Sequence, residues 1–223
     1  MARLKQKRRL SGFTLTEIII AAAIVVLTLG ALTSFMVSST KDIFWATNKS
    51  IITNDVRSFT QRISNETLGA NTGYVYKSFS ASDRNSASDQ KQSGQTGDCL
   101  VLIHIAPYPN IGDDKHYTKL VIYFRAPDEN GESPVYRVEK TFDTPQPIKT
   151  ENGHNHFEKF LTIHFPRSED TSNIVLELSR GLADGNLFRN FGNNTFIING
   201  EILHGNNVKE VTNTYNLTIS PRG

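Results

Sequence analysis

The sequence predicts an α+β fold: a long N-terminal helix, transmembrane and then amphipathic, packed on an antiparallel β-sheet domain. Three observations carry this reading. No charged residue occurs from Ile18 to Thr40, and a bilayer core about 30 Å thick needs about 20 apolar residues of helix. Ile52, Val56, Phe59 and Ile63 then recur at spacings of four, three and four, the stripe of an amphipathic helix. Beyond residue 98 the chain turns to short β-rich runs separated by turn residues, with no second long helical period.

The charge is unevenly placed. Arg3, Lys5, Lys7, Arg8 and Arg9 give the first twelve residues +5 with no acid, so a chain of net +2 leaves −3 for the rest. A nucleic-acid-binding domain would carry its basic charge on the folded part, so no nucleic-acid partner is expected. The distribution instead places the N-terminus in the cytoplasm and the bulk of the chain outside. Cys99 is the only cysteine, which excludes an intrachain disulfide and a cysteine-only zinc site.

Within the first helix, Thr28, Thr33 and Ser34 interrupt the apolar run, and Ala21, Ala22, Ala23, Gly30 and Ala31 allow close approach of another helix. A secretory signal peptide has a shorter apolar region and a small-residue cleavage site after it. Here the run is longer and Val37-Ser38-Ser39 is a poor site. A plain single-pass anchor accounts for neither Gly12 nor Glu17, because an acid at the mouth of a spanning helix costs a few kcal/mol, less near the interface.

The stretch Gly12-Phe13-Thr14-Leu15-Thr16-Glu17, set between basic residues and the apolar run, resembles the class III leader of type IV prepilins and type II secretion pseudopilins. The usual family form is GFTLIEL; this chain has Thr16 and Ile18 in place of the isoleucine and the leucine. The resemblance implies cleavage by a prepilin peptidase between Gly12 and Phe13, N-methylation of Phe13, and a role for Glu17 in filament assembly. In a bundle of parallel helices, the new amine of Phe13 would meet the Glu17 carboxylate of a neighbour, since a paired charge in low dielectric is tolerable where a lone one is not. The bland alternative is that Glu17 snorkels to the headgroups.

Four segments follow: a basic leader (1–12), a transmembrane and assembly half of the helix (13–40), an amphipathic half (41–68), and a globular β-rich domain (69–223). Ile43, Phe44 and Trp45 fall where the outer membrane interface is expected. The helix is expected from about Thr16 to Leu68, with Gly69 as its stop. Residues 80–98 are small and polar without periodicity, which reads as a surface or disordered loop.

Strands are expected at Leu100–Ala106, Tyr117–Ala126, Pro134–Phe142, Phe157–Phe165, Ile174–Ser179, Thr195–Asn199 and Tyr215–Ser220. The second and third form a hairpin across Asp128-Glu129-Asn130-Gly131. This order is also that of pilin-like proteins. The long loop and the hairpin strand with Val135-Tyr136-Arg137 are most similar to the larger minor subunits, the J-type pseudopilin and the W-type minor pilin.

No catalytic constellation is evident. The chain lacks a nucleophile elbow, a phosphate-binding loop and an HExxH zinc motif. Cys99 follows Asp98 and opens a strand, which favours a small buried residue over a nucleophile. His154 and His156, with Glu151 and Glu158 near, form a weak metal candidate on a turn, with no third histidine close by. Asp113-Asp114 and Asp128-Glu129 lack the ligand spacing of a calcium loop. No cofactor and no metal are therefore expected. The expectation is a non-enzymatic structural subunit of a pilus or secretion pseudopilus, whose partners are the prepilin peptidase, other pilin or pseudopilin subunits and the cytoplasmic membrane. The alternative is a membrane-anchored, extracytoplasmic ligand-binding module.

Overall fold

The computed structural model describes residues 12–106, 116–126, 133–147, 150–151, 154–155, 157–165, 174–178, 186–206 and 209–222. The chain divides into two compact units, one ending at Thr47 and the other running from Asn48 to Gly223. One helix, α1 (Leu15–Gly69), contributes to both. It exceeds the expected span by one residue at each end. In the first unit its side chains face outward: Leu15, Ile18, Ile19, Ile20, Leu27 and Phe35 are all exposed. This is the one helix among the described residues that is long and apolar enough to cross a membrane.

The second unit is built on two antiparallel sheets. The first has the order β1 (Thr72–Tyr76), β3 (Cys99–Ile105), β4 (His116–Arg125), β5 (Val135–Pro147) and β8 (Val175–Leu178). The second has the order β11 (Lys209–Ile219), β10 (Thr195–Asn206), β9 (Phe188–Gly192) and β2 (Thr96–Gly97). A small two-stranded ladder joins β6 (Thr150–Glu151) and β7 (His154–Asn155). The single sheet expected from the sequence is thus two.

Alternation on β3 and β4 explains the layering. Leu100, Leu102, Val121 and Tyr123 point to one face of the first sheet, where they join Ile52, Phe59 and Ile63 of α1 and Phe188, Phe196, Ile198 and Ile219 of the second sheet. Cys99, Val101, Ile103, Leu120, Ile122 and Phe124 point to the other face, where they join Phe157, Leu161 and Phe165. Both faces of β3 and β4 are therefore covered, which is why these strands read as near-continuous apolar runs. The predicted stripe of α1 is the buried face: Ile52, Phe59 and Ile63 are at most 2% exposed, and Val56 packs beside them.

Phe157–Phe165 is not the strand the sequence suggested. Phe157–His164 is a helix, α2. Phe157, Phe160, Leu161 and Phe165 lie at i, i+3, i+4 and i+8, a helical stripe, and it is this stripe that meets the first sheet. Ile163, off the stripe, is 64% exposed. His164 accordingly sits in the last turn of a helix rather than in a strand.

Five further strands lie outside the expected list: β1, β9 and the two-residue strands β2, β6 and β7. The β9–β10 turn uses Asn193 and Asn194 at φ 49° and 57°, the left-handed pair that a two-residue hairpin with right-handed strand twist requires. The Asn194 side chain also ties the sheets together. Its Oδ1 accepts from Gly73 N at 3.1 Å, and its Nδ2 donates to Asn71 O at 3.1 Å. Gly97 is a close approach between β2 and β1, since a Cβ there would overlap the Tyr76 carbonyl oxygen.

Candidate functional site

The sequence placed the functional residues at the start of α1. Gly12 and Phe13 are described and exposed, Phe13 at 84%. Residues 1–11 of the expected leader lie outside the described residues. Glu17 is held in a way the sequence reading missed. Thr14 N and Thr14 Oγ1 donate to Glu17 Oε2 at 2.8 and 2.9 Å, and Glu17 N lies 3.4 Å from Thr14 Oγ1. This reciprocal arrangement is a capping box, with the Thr14 hydroxyl and the Glu17 carboxylate satisfying orphan donors of the first turn. The T-x-x-E spacing before an apolar run is its signature, so the signal was present. Glu17 thus also favours the positive end of the helix dipole. Both bonds fall on Oε2, and no described residue donates to Oε1.

In the second unit, the amphipathic part of α1 carries one acid, Glu66, that meets the first sheet. Lys119 Nζ donates to its two oxygens at 3.2 and 3.0 Å, and Arg137 Nη2 donates to Oε1 at 2.9 Å. Glu139 closes the network through Lys119, at 3.4 Å, and through Arg137. Burial raises the Glu66 carboxyl, but the hydrogen bond from Lys119 and the charges of Lys119 and Arg137 outweigh it and hold it below the usual carboxylate range. Arg137, noted in the sequence only as part of an aromatic-basic strand, is one of the anchors of α1.

His104 sits beside this network: its Nε2 lies 3.8 Å from Glu66 Oε2 and has no hydrogen-bond partner among the described residues, while its ring shares a hydrogen bond with the Gly69 backbone. Burial and then the Lys119 cation push its imidazole below the ordinary value of 6.5, with Glu66 and Glu139 opposing. A base whose folded pKa is depressed is stabilising in its neutral form, fully so above the unfolded value, and that stability declines as pH falls below about 6.5. The denaturation midpoint is expected to drop between about pH 7 and pH 5. His104→Gln is expected to flatten that part of the profile, a comparison that thermal melts across this range will make.

The polar loop lies at the surface, one of its two expected readings, with residues 85–88 and 92–96 exposed. It contains two short 3-10 turns, Ala81–Asp83 and Ala87–Asp89, and it buries Arg84 completely. Arg84 Nε donates to Phe79 O at 2.8 Å, Nη1 to Leu161 O at 3.4 Å, and Nη2 to Phe165 O. The guanidinium also lies 4.7 Å from the centroid of the Phe79 ring. No carboxylate pairs with it among the described residues. The last carbonyls of α2 supply the negative end of a helix dipole in its place. Nothing in the composition of residues 80–98 distinguishes this arginine from the polar residues around it.

A cavity of about 240 Å³ opens nearby, lined by Tyr74, Tyr117, Phe157 and Glu158 among others. Cys99 is fully buried, and burial pushes its thiol up to about 12, with Arg84 opposing and Asp98 adding. It packs as a small apolar residue, as expected, and has no nucleophilic character at neutral pH. Among the described residues no group of three or more His, Cys, Asp or Glu is placed to hold a metal ion. The Asp113-Asp114 and Asp128-Glu129 loops and His156 lie outside the described residues, as do the side chains of Glu151 and His154.

The fold and these sites define an α+β protein with a capped, apolar N-terminal helix of membrane-spanning length, joined in sequence to a two-sheet domain. Comparison of the chain with protein-family models, with curated proteins and with solved structures found no match.

Proposed function

We propose that this chain is a structural minor subunit of a type IV pilus or a type II secretion pseudopilus. In this reading it is made as a precursor, anchored once in the bacterial cytoplasmic membrane, and its sheet domain lies on the periplasmic side. A prepilin peptidase cuts it between Gly12 and Phe13, Phe13 is N-methylated, and it assembles with other pilin or pseudopilin subunits through parallel helix packing. It catalyses no reaction. The observation that carries the reading is GFTLTE between five basic residues and the apolar run. The helix-on-sheet architecture and the exposed apolar face of α1 below Thr47 agree with it.

The capping box sharpens the test. Glu17 serves its own helix through Oε2, while Oε1 has no donor from the described residues, leaving it open to the Phe13 amine of a neighbouring subunit. Glu17→Gln keeps an acceptor for the cap but removes the charge. The proposal expects Gly12→Val to leave an uncut precursor, and expects Glu17→Gln to be processed normally yet to enter filaments at a small fraction of the wild-type amount. The checks are intact mass of the N-terminus and immunoblotting of sheared filaments. Wild-type incorporation of Glu17→Gln would reduce the acid to a helix cap and defeat the pairing mechanism. An unprocessed Met1 in the wild-type protein would defeat the leader assignment.

A membrane-anchored, extracytoplasmic ligand-binding module is the second reading. The aromatic and acidic cavity beside α2 favours it.

A further inference from the structure

The cavity beside α2 is formed by elements that meet only in the folded domain. Tyr74 comes from β1, Tyr117 from the start of β4, and Phe157 and Glu158 from the first turn of α2, while Gln90 closes the 3-10 turn of the polar loop. The Phe157 ring lies 5.4 Å from that of Tyr74 and 5.7 Å from that of Tyr117, tilted by 45° and 55°. Three aromatic rings thus border one space.

Glu158 supplies the charge. It is 4% exposed, and no basic side chain pairs with it among the described residues. Tyr76 Oη donates to its Oε1 at 3.3 Å and Gln90 Nε2 donates to the same oxygen at 2.5 Å. No described residue donates to Oε2. A carboxylate taken out of water is costly unless a cation or further donors meet it, and this one keeps half of its acceptor capacity unused at the wall of a cavity. Burial and the Glu158 charge push the phenols of Tyr74, Tyr76 and Tyr117 up, so they remain neutral beside it.

The ligand class follows from these contents. Aromatic faces carry negative quadrupole density and attract an organic cation, a lysine or quaternary ammonium among them. A hard metal ion would want several oxygen ligands, and the cavity presents a single carboxylate with hydroxyl and amide groups. A volume of about 240 Å³ lies below that of sites for drug-sized molecules. We propose that the cavity bounded by Tyr74, Tyr117, Phe157 and Glu158 binds a small organic ammonium ion, with the cationic head against the rings and Glu158 Oε2. The ammonium head belongs equally to a free amine or to a lysine side chain of a partner.

Isothermal titration of the full chain in a maltoside detergent tests this with three probes. Choline presents the head free, 3,3-dimethylbutan-1-ol is its uncharged isostere, and Nα-acetyl-lysine methylamide presents the head on a peptide. Binding of choline or the lysine derivative, with the alcohol at least about ten-fold weaker, is expected, and the tighter of the two identifies the source. Glu158→Gln should weaken binding by about ten-fold or more, since it removes the charge and keeps the shape. If that variant melts early, Tyr74→Phe and Tyr74→Leu decide the matter: the ring-retaining variant should bind and the aliphatic one should not. Equal binding of the alcohol, no binding at millimolar probe, or unchanged binding by a folded Glu158→Gln overturns the proposal.

Discussion

Arg84→Ala is expected to destabilise the Asn48–Gly223 unit by about 3–5 kcal/mol, because three carbonyls lose charged donors and a large buried side chain is deleted. Each hydrogen bond from a charged donor contributes about 1.5–3 kcal/mol, and an orphaned buried acceptor adds its desolvation penalty. Arg84 is fully buried, so water cannot replace it without opening the loop. The three carbonyls come from Phe79, before the first 3-10 turn, and from Leu161 and Phe165 at the end of α2. One planar guanidinium therefore joins the polar loop to the helix on the outer face of the first sheet. Below it, Phe79 stacks on Phe124 of β4 with centroids 4.0 Å apart.

Two companion variants separate the causes. Arg84→Met restores volume without donors and isolates the hydrogen-bond loss. Arg84→Lys returns the charge but not the fork, and is expected to recover less than half of the stability, since one ammonium cannot serve three divergent carbonyls. Urea denaturation of the full chain in detergent, followed by near-ultraviolet circular dichroism, measures all three. A change below about 1 kcal/mol for Arg84→Ala would mean that the loop is not anchored by this residue.

Phe59→Ala is expected to have a similar effect, about 3–5 kcal/mol, for a different reason. Phe59 is fully buried, with its ring 6.0 Å from that of Tyr123 in the first sheet and 5.9 Å from that of Tyr215 in the second. Truncation leaves a cavity where α1 and both sheets meet, and collapse from one side cannot fill it. Phe59→Leu should cost less than half as much. Leu27→Ala, on the same helix at a position 72% exposed, is expected to leave the domain's unfolding within about 0.5 kcal/mol of wild type. The contrast between Phe59 and Leu27 reads out directly which part of α1 belongs to the folded core.

These effects show what was legible beforehand. The stripe of Ile52, Val56, Phe59 and Ile63 is a local period, and local periods report the face an element will bury. The same holds for β3, β4 and β5, whose apolar runs and intervening turn announced a hairpin that the register of β4 on β5 reproduces. Phe157–Phe165 failed for want of length: over nine residues a helical stripe and a loose alternation share most of their apolar positions. Burial against the first sheet decided for the helix. Thr14 and Glu17 were read for their place ahead of a membrane segment, and the capping spacing they also satisfy was passed over.

What the sequence by itself determined is whatever depends on neighbours along the chain. That comprises the charge asymmetry ahead of Gly12, the apolar run of membrane length, the amphipathic continuation of the helix, the long apolar strands β3, β4 and β5 and the motif on which the proposed processing rests. Only the tertiary structure decided that the strands divide into two sheets, that Glu66 meets Lys119 and Arg137, that Arg84 is buried against the end of α2, and that Glu158 faces three aromatic rings. Each of these pairs residues far apart in sequence, and the energy of a charge is set by what surrounds it in space. A composition of small polar residues cannot reveal which one will be taken out of water; only the packing of the sheet and helix around it does.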